Sequence, residues 1–284
     1  MADRFRLTLA QLDPTVGDLQ GNADKAFAAW EEARAAGADM VALPEMFIAG
    51  YQTQDLVMKR AFAEDCMARV AALGARATGG PAIGIGGPLL TGGKLYNAYH
   101  VYRDGRLVRQ VLKHDLPNET VFDEVRLYEP GPIAGPYDLG IVRVGTPICE
   151  DAWHEEVPEA LAESGAEILI VPNGSPYYRG KYDTRINHMV ARSVETGLPL
   201  VYLNMVGAQD DQVFDGGSFV LNPGGELALR LPLFDEAIVH VDFRETDAGW
   251  RAEPGEIAPM HDAWEQDYRA MVQSLRDYCR KTGF

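Results

Sequence analysis

At 284 residues the chain is long enough for one large domain or two small ones, and its 46% hydrophobic and 24% charged content is ordinary for a soluble globular protein. A net charge of -16 argues against a nucleic-acid partner, which would call for a basic surface, yet it leaves room for a local basic pocket. Cys66, Cys149 and Cys279 are too few and too scattered for a disulfide framework and fit a reducing compartment. With no apolar leader after Met1 and no apolar run long enough to span a bilayer, a cytoplasmic protein without a membrane partner is expected.

Residues 6–12 read as a strand, and Asn22 as the cap of a helix through Phe27, Trp30 and Ala35 that ends at Gly37. The short apolar run 40–43 predicts a buried strand stopping at Pro44-Glu45. A helix over 56–73 precedes a strand around Ile83-Gly84-Ile85, and Gly92-Gly93 and Asp104-Gly105 mark hairpin turns. Strands over 107–112 and 141–148 deliver Lys113 and Cys149 to their far ends. Helix from about 157, a strand over 167–171, a helix over 184–195 and a strand over 200–203 follow. A hairpin then pairs 218–221 with 227–229 across Pro223-Gly224-Gly225. The mixture of alternating elements and tight turns predicts sheets that are not purely parallel. Residues 1–246 read as one domain. The stretch 247–259, rich in Gly, Pro and acidic residues, reads as a tether to a last helix over 264–280.

Three reactive side chains stand just past predicted strands: Glu45, Lys113 and Cys149. Ligands gather at the carboxyl ends of strands in layered α/β folds. Taken singly, Cys149 is equally a small buried hydrophobe, Glu45 a solvated or capping carboxylate and Lys113 a surface charge. Together they make a nucleophile, a base and an electrostatic stabiliser. A free thiol has a pKa of about 8.5, so a base or cation is needed to raise its thiolate fraction. A carboxylate can take the proton if burial raises its own affinity for it. An ammonium and a backbone N–H, here that of Glu150, would then hold the oxyanion.

These residues sit in strings that resemble a known family. Leu43-Pro44-Glu45, Lys113-His114-Asp115-Leu116-Pro117-Asn118 and Ile148-Cys149-Glu150-Asp151-Ala152-Trp153 are similar, in order, to the three catalytic blocks of the nitrilase superfamily of carbon-nitrogen hydrolases. The strings 121–126, 173–177 and 209–218 extend the resemblance to the glutaminase domain of glutamine-dependent NAD synthetase, over nearly the whole chain. The resemblance implies an α/β fold, a four-layer α-β-β-α sandwich, and hydrolysis of glutamine to glutamate and ammonia through a Cys149 thioester. It implies Glu45 as base, Lys113 as oxyanion-stabilising cation, and Glu124 as a further glutamate orienting Lys113 or the water. An ordinary Glu124–Arg126 charge pair is the alternative for that residue.

The resemblance places Tyr51, Trp153 and Ser175 around the substrate, although Tyr51 and Trp153 are also plausible core aromatics. A zwitterionic substrate needs paired charges. Glu150 is a candidate for its ammonium, and Arg179, Lys181 and Arg185 for its carboxylate, unless they are simply solvated. Where the family pattern has Tyr-Gly after Leu-Pro-Asn, this chain has Glu119-Thr120. Glu119 therefore either faces solvent or meets the substrate's amino group.

No Ser-Gly-Gly-x-Asp-Ser pyrophosphate loop occurs, so no cofactor is expected in this chain. ATP and Mg belong to a synthetase domain that the resemblance implies and the chain lacks. The ending 275–284 resembles the helix leading into that half, so a domain cut at its boundary, partnered by a synthetase domain or subunit, is expected. A homo-oligomer is implied as well. The histidines are scattered and show no metal-ligand spacing, so no metal site is expected. The rival readings are a stand-alone amidase acting on another ω-amide or carbamoyl compound, a Cys-His hydrolase using His114, His154 or His188, and a non-catalytic binding domain.

Overall fold

The computed structural model describes residues 4–284; the reading of residues 1–3 lies outside them. The first half of the chain runs β1 (Arg4–Gln11), α1 (Leu19–Ala35), β2 (Met40–Ala42), a 3-10 turn Gln54–Met58, α2 (Arg60–Arg76), β3 (Ala82–Thr91), β4 (Lys94–Arg103), β5 (Arg106–Leu112) and the short α3 (Glu124–Leu127). Then come β6 (Tyr137–Asp138), β7 (Arg143–Gly145), a 3-10 turn Cys149–Ala152, α4 (Glu156–Glu163), β8 (Ile168–Asn173), α5 (Lys181–Thr196) and β9 (Leu200–Asn204). The chain finishes with β10 (Val206–Gln209), β11 (Gln212–Asp215), β12 (Phe219–Asn222), β13 (Glu226–Arg230), β14 (Ala237–Thr246), β15 (Gly249–Ala252) and α6 (Ala263–Thr282).

Two sheets organise these elements. One has the order β15-β14-β1-β2-β3-β4-β5, the other β13-β12-β9-β8-β7-β6, and β10-β11 stands apart as a hairpin. In the first sheet β1, β2 and β3 are mutually parallel, while β4, β5, β14 and β15 pair antiparallel. Strand alternation explains the layering. Phe5, Leu7 and Leu9 of β1 meet Ile168 and Ile170 of β8 in a core between the sheets. Val41, Ile83 and Ile85 turn the other way onto Trp30 of α1 and Cys66 and Val70 of α2. On the second sheet Leu169 and Val171 face Val157 and Leu161 of α4 and Met189 of α5. Helices therefore cover both outer faces, which makes the four layers α-β-β-α.

Several boundaries differ from the sequence reading. Asp18, not Asn22, caps α1 by accepting from Gly21 N. Asn22 lies inside the helix and reaches back to bond Thr15 and Ile48. The helix expected at 56–73 is a 3-10 turn followed by α2. The strand expected at 141–148 is regular only over Arg143–Gly145, because the chain leaves the ladder to turn at Cys149. Residues 247–259 are not a free tether: β15 completes the edge of the first sheet and buries Trp250. The last helix is anchored by Lys281, whose ammonium meets Asp13 Oδ1 at 2.5 Å, and by Asp277, which accepts from Ala208 N. Its outer side exposes Trp264, Tyr268, Met271, Leu275 and Tyr278 at alternating four- and three-residue spacing. Among the described residues no helix is long and apolar enough to cross a membrane.

Candidate active site

Glu45, Lys113 and Cys149 arrive from three separate strand ends and meet between the sheets. Past β2, Leu43 N still donates to Gly84 O, and Ile48 N donates to Gly86 O, so the Glu45 turn lies flat on β3. A Cβ at position 86 would come within 2.1 Å of Met46 N and 2.6 Å of the Glu45 carbonyl carbon. Only glycine permits that approach. Lys113 N donates to Asn97 O of β4 at 2.9 Å and so continues the β5 ladder by one residue.

Cys149 has φ of 49°, an uncommon conformation for a non-glycine residue and one that concentrates at functional positions. The turn is held by Asp151. One of its oxygens accepts from Ile148 N at 2.9 Å; the other accepts from His114 N and Asp115 N at 2.9 and 2.7 Å. One buried carboxyl thus pins the Cys149 turn to the segment that follows Lys113. Burial pushes the Asp151 carboxyl up to about 7, against the pull of those N–H donors and Lys113.

The charged centre is fully enclosed. Lys113 Nζ lies 2.8 Å from Glu45 Oε1 and 2.8 Å from Glu124 Oε2, and none of the three side chains is more than 3% exposed. Glu45 Oε2 accepts from Gly174 N at 2.8 Å. Glu124 belongs to this centre and not to a surface pair, since Arg126 is engaged by Asp123 and Asp55. Desolvation opposes the ammonium, but the two carboxylates and the cysteine hold the Lys113 pKa well above its ordinary value. The Cys149 thiol is also pushed well up, first by burial and then by Glu45, with Lys113 opposing. Burial and the nearby carboxylate thus both disfavour a free thiolate at Cys149. Attack then requires proton removal in the same step.

Above Cys149 opens a cavity of about 290 Å³ whose walls include Glu119, Phe122, Glu150, Trp153, Ser175, Tyr177, Tyr178, Lys181 and Gln212. Of the expected substrate residues, Glu119, Glu150, Trp153 and Ser175 reach it, and Glu119 lies at the exposed rim. Tyr51 stands behind the wall. Its hydroxyl donates to Glu124 Oε1 at 2.9 Å and its ring fills the space that a side chain on Gly174 would need. Arg185 does not reach the cavity. It is wholly buried, paired with Asp215 at 2.7 and 2.9 Å, and bonded to Ser175 Oγ, Ser175 O and Pro176 O. Its five donors are spent on the wall, so it cannot receive a substrate carboxylate. Arg179 points outward to Asp267 and Trp264.

Of the three candidate cations, Lys181 is the one that lines the cavity. Its ammonium lies 4.2 and 4.8 Å from the Trp153 and Tyr178 ring centroids, and no carboxylate among the described residues lies within salt-bridge distance. Among the described residues no histidine lines the cavity: His114 bonds Gly131 O, His188 packs on Trp153, and His154 sits outside beside Glu150. That arrangement removes the Cys-His reading. A larger cavity of about 540 Å³ lies between α2 and the β3–β4 hairpin, and no cysteine is among the residues that line it. Among the described residues no cluster of three His, Cys, Asp or Glu is arranged to hold a metal.

The sequence matches the carbon-nitrogen hydrolase family over residues 6–251. It is 61% identical over all 284 residues to the glutamine-dependent NAD(+) synthetase of Rhodobacter capsulatus, and covers 51% of that protein. A glutamine-dependent NAD+ synthetase structure from Acinetobacter baumannii superposes with a TM-score of 0.93 at 31% identity, covering 99% of this chain and 53% of that one. An amidase structure from Nesterenkonia sp. superposes at 0.76 and 23% identity over 86% of this chain and 92% of its own, a likeness of fold. The chain thus spans about half the length of the synthetases it matches.

Proposed function

Because the chain belongs to the carbon-nitrogen hydrolase family, we propose that it hydrolyses the side-chain amide of glutamine through a Cys149 thioester and releases ammonia. The observation that carries this reading is the enclosed Glu45–Lys113–Glu124 centre beside a cysteine in a strained turn at a cavity with charges of both signs. As the Cys149 sulfur attacks the amide carbon, Glu45 takes the thiol proton. Lys113 and the Glu150 N–H stabilise the oxyanion; that N–H belongs to the first turn of a 3-10 segment, which leaves it without an internal partner. Glu45 then protonates the departing nitrogen as the C–N bond breaks. A water enters, gives its proton to Glu45 and adds to the thioester. The C–S bond breaks, the proton returns to sulfur, and glutamate leaves.

Lys181 receives the substrate's α-carboxylate in this reading, while Glu150, with Glu119 at the rim, faces the α-ammonium. The burial that raises the Glu150 pKa is offset once an ammonium pairs with it. The ammonia is consumed by a synthetase part of the kind named in the relatives. The apolar row on α6 is a surface that such a partner would cover.

Ammonia release from glutamine by the wild type, abolished in Cys149→Ala with the fold retained, is the expected result. Lys181→Met should lower kcat/KM for glutamine relative to a neutral amide without a carboxylate by about 10-fold or more. A wild type that releases no ammonia from glutamine, or an unchanged substrate ratio in Lys181→Met, contradicts the corresponding part of the proposal.

A further inference from the structure

Asn97 was no part of the sequence reading, yet the structure places it at the hub of the charged centre. It sits within β4, wholly buried. Its carbonyl accepts from Lys113 N, and its amide nitrogen donates to Glu45 Oε1 at 2.7 Å and to Glu124 Oε1 at 3.3 Å. One side chain therefore spans the two carboxylates that flank the Lys113 ammonium. Two carboxylates around one ammonium leave an excess negative charge in an enclosed space, and like charges at such range repel strongly. An amide NH₂ answers this in a way that no other neutral side chain of that size does, with two N–H donors on one atom and no charge of its own.

The other end of the side chain is the second observation. Asn97 Oδ1 is buried with no hydrogen-bond partner. An orphaned acceptor is costly, and a position serving packing alone would favour an apolar residue. The amide is retained for its donors. The donors are also unevenly shared over Glu45: Oε1 receives both Lys113 and Asn97, whereas Oε2 receives Gly174 N alone. Oε1 is the anchored oxygen, and Oε2 keeps acceptor capacity to spare.

We infer that Asn97 is a positioning residue for the amide hydrolysis. It holds Glu45 by Oε1 so that Oε2 exchanges the proton with the Cys149 sulfur and the leaving nitrogen, and it keeps Glu45 and Glu124 together about Lys113. The inference rests on the proposed hydrolytic function. Its contribution is orientation and charge balance of the base, so its loss falls on turnover, not on substrate binding. The anchored Oε1 bond persists when Oε2 carries the proton, which keeps the acid aimed during the second half of each step.

The test compares wild type with Asn97→Ala and with Asn97→Ser, which restores one donor. Tm and near-ultraviolet circular dichroism report folding, and active sites are counted by iodoacetamide capture of Cys149. The groups that share the base's surroundings are Lys113 beyond β5, Glu124 of α3, Cys149 of the 3-10 turn, and Tyr51 and Tyr128 from the flanking loops. All are kept in both variants. For Asn97→Ala, kcat per counted site should fall about 10- to 100-fold with KM within about threefold. Removing a donor from the anionic base raises its proton affinity, so the acidic limb of kcat/KM should move to higher pH. Asn97→Ser should recover part of both effects.

Full turnover per counted site in Asn97→Ala, or a loss with the acidic limb unmoved, would overturn the inference. The second pattern would reduce Asn97 to a packing role. Failure of the glutaminase reading looks different: the wild type would leave glutamine intact while hydrolysing another ω-amide, and the same comparison would be made on that amide. In a wild type without amidase activity, the pH dependence of Cys149 alkylation reads the base directly. An unshifted profile in Asn97→Ala would then overturn the positioning role.

Discussion

Arg185→Met removes a guanidinium that is wholly buried and leaves the Asp215 carboxylate, 2% exposed, without its partner. Breaking a buried pair from one side costs about 3–5 kcal/mol, because the remaining charge is left desolvated. For a domain of this size the melting temperature should drop by roughly 10 °C. Asp215→Leu added to Arg185→Met should recover the part of the loss that comes from the orphaned carboxylate, while the bonds from Arg185 to Ser175 and Pro176 stay broken. Urea unfolding of the wild type, the two single variants and the double variant gives the coupling energy. The same double variant, assayed on glutamine and on a neutral amide, should keep the wild-type ratio of kcat/KM, whereas Lys181→Met should not. Wild-type stability in Arg185→Met, together with a collapsed substrate ratio, would show that the guanidinium serves the substrate and that its assignment to the wall is wrong.

Lys113→Ala removes the cation between two carboxylates, and turnover should fall by about 10² to 10³-fold; ammonia release close to wild type would take Lys113 out of the mechanism. Asp151 makes stability depend on pH. Its carboxyl is raised from 3.8 to about 7 in the fold, so its stabilising contribution is complete below about pH 4 and is lost as pH rises through about 7. Across that window the wild type should lose up to about 1.4 kcal/mol per pH unit through this group. In urea titrations Asp151→Asn should have a correspondingly flatter profile, and parallel profiles would contradict the assignment.

Much of the fold was legible because its strands announce themselves in two different ways. Residues 6–12 alternate because Leu7 and Leu9 face the core between the sheets while Arg6 and Thr8 meet Asp242 and His240 on the other face, and 168–171 form an unbroken apolar run because both faces of β8 pack on apolar clusters. The misreadings have local causes. Asn22 carries cap chemistry, but its side chain found partners in the preceding loop while Asp18 took the cap. Residues 247–259 have the composition of a linker, and no window of sequence reveals that β14 offers a free edge on which 249–252 can pair.

The site divides along the same line. Glu45, Lys113 and Cys149 could be found because each stands where a strand runs out, a position visible in one dimension. Asn97 lies mid-strand, and the groups that give it meaning are 52 and 27 residues away. Asp151, two residues beyond the nucleophile, gave a closer signal: an acidic residue directly after an apolar strand and turn is a ready receptor for loose backbone N–H groups. Arg185 and Lys181 lie four positions apart on one helix, and sequence alone cannot rank them as carboxylate receptors. The ranking depends on the wall behind them. Asp215 reaches Arg185 from β11 and neutralises it, while the groups around Lys181 are the rings of Trp153 and Tyr178, which accept a cation without quenching its charge. A pocket cation available to substrate is thus defined less by its own residue type than by whether a carboxylate among the described residues lies within salt-bridge distance of it.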